Sequence, residues 1–330
     1  MQTIRIGVMG AANIAQKSVI PAIKATKGFQ LVAVASRTLD KAQDYASKFQ
    51  CEAIEGYQTL LDRTDIDAIY MPLPTGIHKE WVLKALEAGK HVLVEKSLAM
   101  NHEEAKTMVA KAEEKQLVLM ENFMFWYHSQ HQTIQKMVAD GEIGEVRQFR
   151  AQFGFPPLPR DNFRFNKEAG GGAMLDSAAY TVKVSQMYLG FDLEVLGAQI
   201  SIDPVTGVDL FGSALLVAPN GITSQASWGF DNYYQSAYEI WGSKGKLIAD
   251  RGFTPQPGFS PKLIVEQQDF RREYQLPADN HFIKLLTQFH LNITENQWQK
   301  PLAELLNQSR LLSEIWAKAV ITTLPKPLHA

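Results

Sequence analysis

Apolar residues follow two rhythms along this chain, and the change from one to the other divides it. Through the first ~120 residues, short apolar runs alternate with stretches of helical period, as a doubly wound parallel sheet requires. Ile4–Met9 reads as a strand, Gly10-Ala11-Ala12-Asn13-Ile14-Ala15 as a turn, and the chain through Pro21 towards Ala25 as a helix. Further strands are predicted at Gln30–Ala35, Glu52–Ile54, Ala68–Met71, His91–Glu95 and Leu117–Met120. The helices between them fall at Leu39–Phe49, Tyr57–Asp62, His78–Ala88 and from an Asn101 cap through Glu114.

One more helix, Gln130–Asp140, closes at Gly141, and period-two segments then dominate. They cover Val146–Phe155, Val195–Asp203, Asp209–Val217, Ile222–Ser227, Ala237–Trp241, Lys246–Asp250, Lys262–Gln267 and Arg271–Leu276. A helix over Gly172–Leu189 interrupts them, and helices at His281–Asn292 and Leu302–Val320 follow. The expectation is an α/β chain whose parallel-sheet domain spans residues 1–121 and whose α+β domain, with a large, mostly antiparallel open sheet, spans 122–330. Helices would cover one face of that second sheet, leaving the other for a second subunit.

At 330 residues the chain exceeds a usual single core, in keeping with two domains. A formal net charge of −2 offers no basic field for nucleic acid. The single cysteine, Cys51, excludes an internal disulfide framework and a thiolate cluster. No apolar run approaches the ~18 residues of a membrane span, and a strand starts too close to Met1 for a signal peptide. A cytoplasmic protein with no membrane partner is expected.

Strand, small-residue turn, helix and second strand make the layout of a dinucleotide-binding βαβ unit. Gly10, Ala12, Asn13 and Ile14 would let backbone approach a pyrophosphate at the helix N-terminus. An NAD site usually ends its second strand in Asp or Glu for the ribose 2′-hydroxyl. This chain has Ser36-Arg37-Thr38 there, and a guanidinium with hydroxyls suits a 2′-phosphate, which points to NADP(H). Ligands sit outside the carboxyl ends of parallel strands, where Pro72-Leu73-Pro74 and Glu95-Lys96-Ser97 fall. Farther on, Gly170-Gly171-Gly172 precedes Asp176 and Tyr180, which share a helix face at a spacing of four.

Taken in order, Gly7-x-x-Gly10, Pro21-Ala22, Pro74…His78, Glu95-Lys96, Gly171-Gly172 with Asp176, and Gly242-Ser243-Lys244-Gly245 resemble the Gfo/Idh/MocA family of nucleotide-dependent oxidoreductases over nearly the whole length. The resemblance implies a Rossmann domain, an α/β domain used in oligomerisation, and Lys96 and Asp176 at the hydride-transfer site. It adds His78, Glu95 and Asn122 to the cofactor positions. Where the family usually has proline after Glu-Lys, this chain has Ser97. A non-proline cis bond costs ~3 kcal/mol, so Lys96–Ser97 is expected to be trans. The family's commoner His is here Tyr180, as in NDP-hexose 3-ketoreductases and dimeric dihydrodiol dehydrogenases. Met120-Glu121-Asn122-Phe123-Met124-Phe125 is similar to the sugar ketoreductases.

Reducing a ketone places charge on its oxygen, which then needs a proton. Tyr180 would donate that proton, Lys96 would stabilise the alkoxide, and Asp176 would orient Lys96 or a substrate hydroxyl. An adjacent ammonium favours the phenolate of a tyrosine, which suits the pairing. His128 and His131 show no metal-ligand spacing, and no metal is required. Arg150, Arg160 and Arg164 either meet a nucleotide diphosphate or decorate a strand and loop. Phe153, Phe155, Phe163, Phe165, Trp228, Tyr233 and Tyr234 either stack on a sugar or base or fill a strand core, and Trp126 has the same two readings.

The substrate expected is a small keto sugar or diol, and the assembly a homodimer or homotetramer through the C-terminal sheet. The rival activities are oxidation of a trans-dihydrodiol or free sugar, and dinucleotide binding by a regulator without chemistry.

Overall fold

In the computed structural model, which describes residues 2–325, the first strands assemble as their apolar runs require. β1 (Ile4–Met9), β2 (Phe29–Ser36), β3 (Glu52–Glu55), β4 (Ala68–Met71), β5 (His91–Val94) and β6 (Leu119–Glu121) form a parallel sheet in the order β3-β2-β1-β4-β5-β6. Central strands of such a sheet are covered on both faces, and β4 is buried at every position. The helices are α1 (Ile20–Ala25), α2 (Leu39–Phe49), α3 (Tyr57–Leu61), α4 (His78–Glu87) and α5 (His102–Lys115). Asn101 caps α5 as expected, its side chain accepting the Glu104 N–H at 3.0 Å. The strand order reverses between β1 and β4, so their carboxyl ends open the crevice where ligands bind in this architecture.

Among the described residues the second sheet has nine strands. After α6 (Ser129–Ala139) come β7 (Val146–Gly154), α7 (Ala179–Leu189), β8 (Glu194–Ile202), β9 (Asp209–Val217) and β10 (Thr223–Gly229). β11 (Gln235–Gly242), β12 (Gly245–Ala249), β13 (Lys262–Gln267) and β14 (Phe270–Gln275) follow. The last described elements are α8 (His281–Thr294), α9 (Lys300–Lys318) and β15 (Ala319–Thr323). The order is β14-β13-β12-β11-β7-β10-β9-β8-β15, antiparallel except for β10 with β7 and β15 with β8. α7 packs on β7 and β10 and so covers the inner face.

Several expectations need correction. The single crossing expected after residue 121 becomes three. Among the described residues, one compact unit holds 2–124 together with Phe282–Ser309, and the other holds Phe125–His281 with 310–325. Physically, α8 and the start of α9 complete the first core: Phe289 stacks on Phe29, and Leu302 and Leu305 join the apolar cluster of Leu86, Val92 and Met108. The last helix ends at Lys318 rather than running on through Val320, because the β-branched run Val320-Ile321-Thr322-Thr323 pairs with β8. Wide π-type turns over Ala15–Val19 and Met174–Ala178 precede α1 and α7, where regular helix was expected. The first leads into Pro21, which has no N–H for the helical ladder. Among the described residues, no helix is long and apolar enough to cross a membrane.

Candidate active site

In the first unit the polar side chains gather at the carboxyl ends of β1, β2, β4 and β5. Gly10 follows β1 at φ +126°, donates its N–H to Ala35 O at 2.9 Å, and lies against the segment after β4. A Cβ there would stand 2.9 Å from Leu73 Cδ2 and 3.4 Å from Pro72 O, so only glycine fits the close approach of these two turns. Ala12, Asn13 and Ile14 continue the turn into the helical segment, whose first turn carries no acidic residue and no side-chain cap. A helix start without a capping acceptor leaves N–H groups that an anion could take. Ser36 is buried at the end of β2, and Arg37 is exposed just beyond it.

His78, expected among the cofactor contacts, is fully buried. Its Nε2 lies 2.7 Å from Leu73 O, and its Nδ1 lies 2.9 Å from Ser97 O and 3.2 Å from Leu98 O. Burial lowers its pKa, with the facing carbonyls pulling the other way. The imidazole therefore braces the Pro72–Pro74 turn against the one after Lys96 instead of facing the crevice. The Lys96–Ser97 bond is cis, which corrects the trans bond expected from the intrinsic amide preference. Tertiary contacts define this segment: besides the His78 ring, Leu98 N–H donates to Glu121 Oε1 at 2.7 Å.

Glu95 accepts hydrogen bonds from the Tyr70 hydroxyl at 2.7 Å and from Asn122 Nδ2 at 2.5 Å. Burial raises its pKa above the ordinary carboxylate value, while those two donors and the neighbouring Lys96 ammonium oppose the rise. Asn122 is 1% exposed, and its Oδ1 has no hydrogen-bond partner. A buried amide oxygen without a partner is costly, and a cofactor amide donor would satisfy it. The Gly10 turn, the uncapped helix start, Arg37 and this orphaned acceptor fit a dinucleotide carrying an extra phosphate.

In the second unit the glycine run fits α7 against its surroundings. A Cβ at Gly171 would collide with the carbonyl of Arg164 and would stand 2.7 Å from Asn166 O. That closeness seats the Asn162–Asn166 turn beside the helix, and Arg164 Nε reaches Asp176 Oδ2 at 2.5 Å. Tyr180 is 6% exposed and stands among Phe153, Phe125 and Phe253, with ring centroids at 4.7, 5.7 and 5.8 Å. Phe253 was not legible in the sequence, because it lies in a loop with no motif. Trp126 stacks on Phe191 and lies under the Lys183 ammonium, 4.8 Å from the ring centroid.

The remaining candidates disperse. Arg160 pairs with the buried Asp203 carboxylate at 2.6 Å and covers Phe165. Arg150 stands opposite Glu239 on the outer sheet face, because strand alternation sends it away from Phe149 and Phe153. Trp228 is 3% exposed and belongs to the core, whereas Phe163 and Tyr233 are exposed. His128 accepts the Gln130 N–H at 3.1 Å, and His131 Nδ1 meets the Tyr238 hydroxyl at 2.8 Å. The described residues contain no group of three or more His, Cys, Asp or Glu arranged to hold a metal.

Residues 4–123 match the model of an oxidoreductase family with an NAD-binding Rossmann fold, and residues 131–248 match a GFO/IDH/MocA C-terminal domain. The chain is 43% identical over 290 residues to a dTDP-3,4-didehydro-2,6-dideoxy-alpha-D-glucose 3-reductase of Saccharopolyspora spinosa, covering 88% of this chain and 87% of that protein. It is 28% identical to a mouse trans-1,2-dihydrobenzene-1,2-diol dehydrogenase, covering 98% of each. A 3-ketoreductase from Actinomadura kijaniata, crystallised with NADP and TDP-benzene, superimposes with a TM-score of 0.96 at 38% identity, covering 98% of this chain and all 100% of that one.

Proposed function

The chain belongs to the Gfo/Idh/MocA family of oxidoreductases, and from that premise we propose that it is an NADP(H)-dependent reductase of a ketone on a nucleotide-linked deoxysugar. The observation that carries this reading is the likeness to deoxysugar 3-reductases along most of the chain. Lys96 at the end of β5 and Tyr180 at the start of α7 supply the chemistry such a reduction needs.

NADPH, when bound, supplies the hydride. The protein's task is to hold the carbonyl, stabilise charge on its oxygen and deliver a proton there. Tyr180 is the proton donor in this reading, and its hydroxyl is the polar end of a side chain otherwise walled by Phe125, Phe153 and Phe253. Lys96 offers an ammonium to the developing alkoxide. Asp176, paired with Arg164, orients polar groups on the Tyr180 side of the helix. Arg37 takes the 2′-phosphate, and the Gly10 turn takes the pyrophosphate. Trp126 and Arg164 are our foremost substrate contacts, with Arg160, Phe163 and Tyr233 on the surrounding loops. The enzyme works as a homodimer or homotetramer joined through the outer face of the nine-stranded sheet.

The test is NADPH oxidation over a set of NDP-keto sugars, free keto sugars and dicarbonyls, repeated with Tyr180→Phe. Losing a general acid costs roughly 10²–10⁴ in rate, so kcat should fall by that factor while NADPH affinity stays within about twofold. Unchanged turnover in Tyr180→Phe would remove the tyrosine from the mechanism. Turnover of a trans-dihydrodiol with NADP⁺ but of no keto sugar would assign the oxidative reaction instead.

A further inference from the structure

The helix carrying Asp176 and Tyr180 starts without a capping side chain of its own. Ala173 occupies the cap position, and its methyl group accepts nothing. The acceptor comes from 35 residues farther along the chain: Asp209, the first residue of β9, takes the Met174 N–H on Oδ2 at 2.6 Å. Its other oxygen, Oδ1, lies against Gly172, where φ is +113° and where any Cβ would collide with that oxygen. One carboxylate thus takes the first N–H of the turn and occupies the space beside the glycine entry. Met174 lies two residues before Asp176 and one and a half helical turns before Tyr180.

We propose that Asp209 is a positioning residue for the reaction, seating the turn that launches α7 and thereby aiming Asp176 and Tyr180. Its consequence for catalysis rests on the reductase reading above; the seat itself does not.

A serine would cap such a turn without the cost of a buried charge. Asp209 is 4% exposed, and burial pushes its pKa up to about 7, with the Met174 and Ala173 N–H groups and the Trp228 indole acting in the opposite direction. The charged groups of the elements packed on it have partners of their own. Asp176 on the π turn pairs with Arg164, and Asp203 after β8 pairs with Arg160, while β10 contributes no titratable side chain. Above neutral pH the ionised carboxylate accepts the Met174 N–H strongly; below it the protonated acid is a weaker acceptor. The seat therefore loosens on acidification within the working range of an enzyme.

The experiment follows the amides of the intact, ¹⁵N-methionine-labelled protein from about pH 5.5 to about pH 8.5, with Met174 assigned by Met174→Leu. The Met174 amide should titrate with a midpoint near 7, and Asp209→Asn should abolish that titration. In kinetics at saturating NADPH, the wild-type kcat should fall on the acid side with the same midpoint. Asp209→Asn should lack that limb and keep its NADPH affinity within about twofold. Asp209→Ala should lose roughly tenfold in kcat. A wild-type Met174 amide that does not titrate, or an Asp209→Asn pH profile identical to wild type, overturns the proposal, and the former needs no folded variant. A titrating Met174 in a protein that reduces no keto sugar upholds the seat and refutes the reductase reading.

Discussion

Arg37 stands exposed directly after the buried Ser36, so its guanidinium gains most from a partner that is itself strongly charged. A 2′-phosphate is such a partner and a ribose hydroxyl is not. Arg37→Ala should therefore weaken NADPH binding by roughly tenfold or more and leave NADH binding nearly unchanged, as titration of cofactor fluorescence would read. Equal losses for both cofactors would take the residue out of phosphate recognition. The sequence marks this position because a parallel βαβ unit dictates where a ribose would meet the chain. It does not mark Asp209, since one aspartate opening a strand carries no local signature. Its effect on stability has a definite sign. Its folded pKa of about 7 lies above the ordinary 3.8, so between those values the unfolded chain releases a proton that the folded chain keeps. Folding stability falls as pH rises through that window and stays lowered above it. Asp209→Asn, which cannot ionise, should gain in Tm relative to wild type between about pH 4 and about pH 7. A Tm difference independent of pH would contradict this account of the carboxyl.

At the scale of elements, close backbone contacts account for glycines that a motif alone only marks. Gly171 has no room for a side chain because the carbonyls of Arg164 and Asn166 occupy that space, and the same turn holds Arg164 against Asp176. Gly171→Ala should push this turn away from α7, at a cost of about 1–3 kcal/mol in urea unfolding. Substrate KM should rise, since Arg164 moves with the turn, while NADPH affinity should not change. An unaffected KM would separate the turn from substrate binding. Most elements were predictable from periodicity alone, including every strand of the parallel sheet, because buried strands and amphipathic helices leave unmistakable patterns. The exceptions share a cause. The strand Ala319–Thr323 follows helix without a break, so its β-branched run was absorbed into the preceding pattern, and it becomes a strand only by pairing with β8. Likewise, the segments holding the cis Lys96–Ser97 bond and the π turn over Met174–Ala178 are hydrogen-bonded by His78, Glu121 and Asp209, all remote in sequence.

For the whole molecule, the hydropathy pattern disclosed two sheets but not the return of α8 and part of α9 to the first unit. Their apolar stripes say that they must be buried and not against which core. The same reasoning bears on the outer face of the nine-stranded sheet. Period-two alternation puts Leu215, Gln225, Arg150, Glu239, Ile248 and Ile264 in one row across β9, β10, β7, β11, β12 and β13, with Trp241 in the neighbouring row. α7 packs on β7 and β10 from the side where Phe153 meets Tyr180, which leaves this row on the opposite face. Trp241 is 55% exposed and Leu215 37%, among polar residues such as Lys246, which bridges Glu239 and Glu266. Large apolar side chains set in a polar, ion-paired frame are what a subunit contact presents. A second copy related by a two-fold axis would meet the same surface with the same surface. Light scattering of the full chain should therefore give a dimer or tetramer mass. Trp241→Glu with Leu215→Lys should shift it towards the monomer, since an interface that buries an unpaired charge pays its desolvation. Because both residues lie on the face opposite Tyr180, NADPH binding should survive the change. A monomer mass for the wild-type protein would exclude the face as a subunit contact.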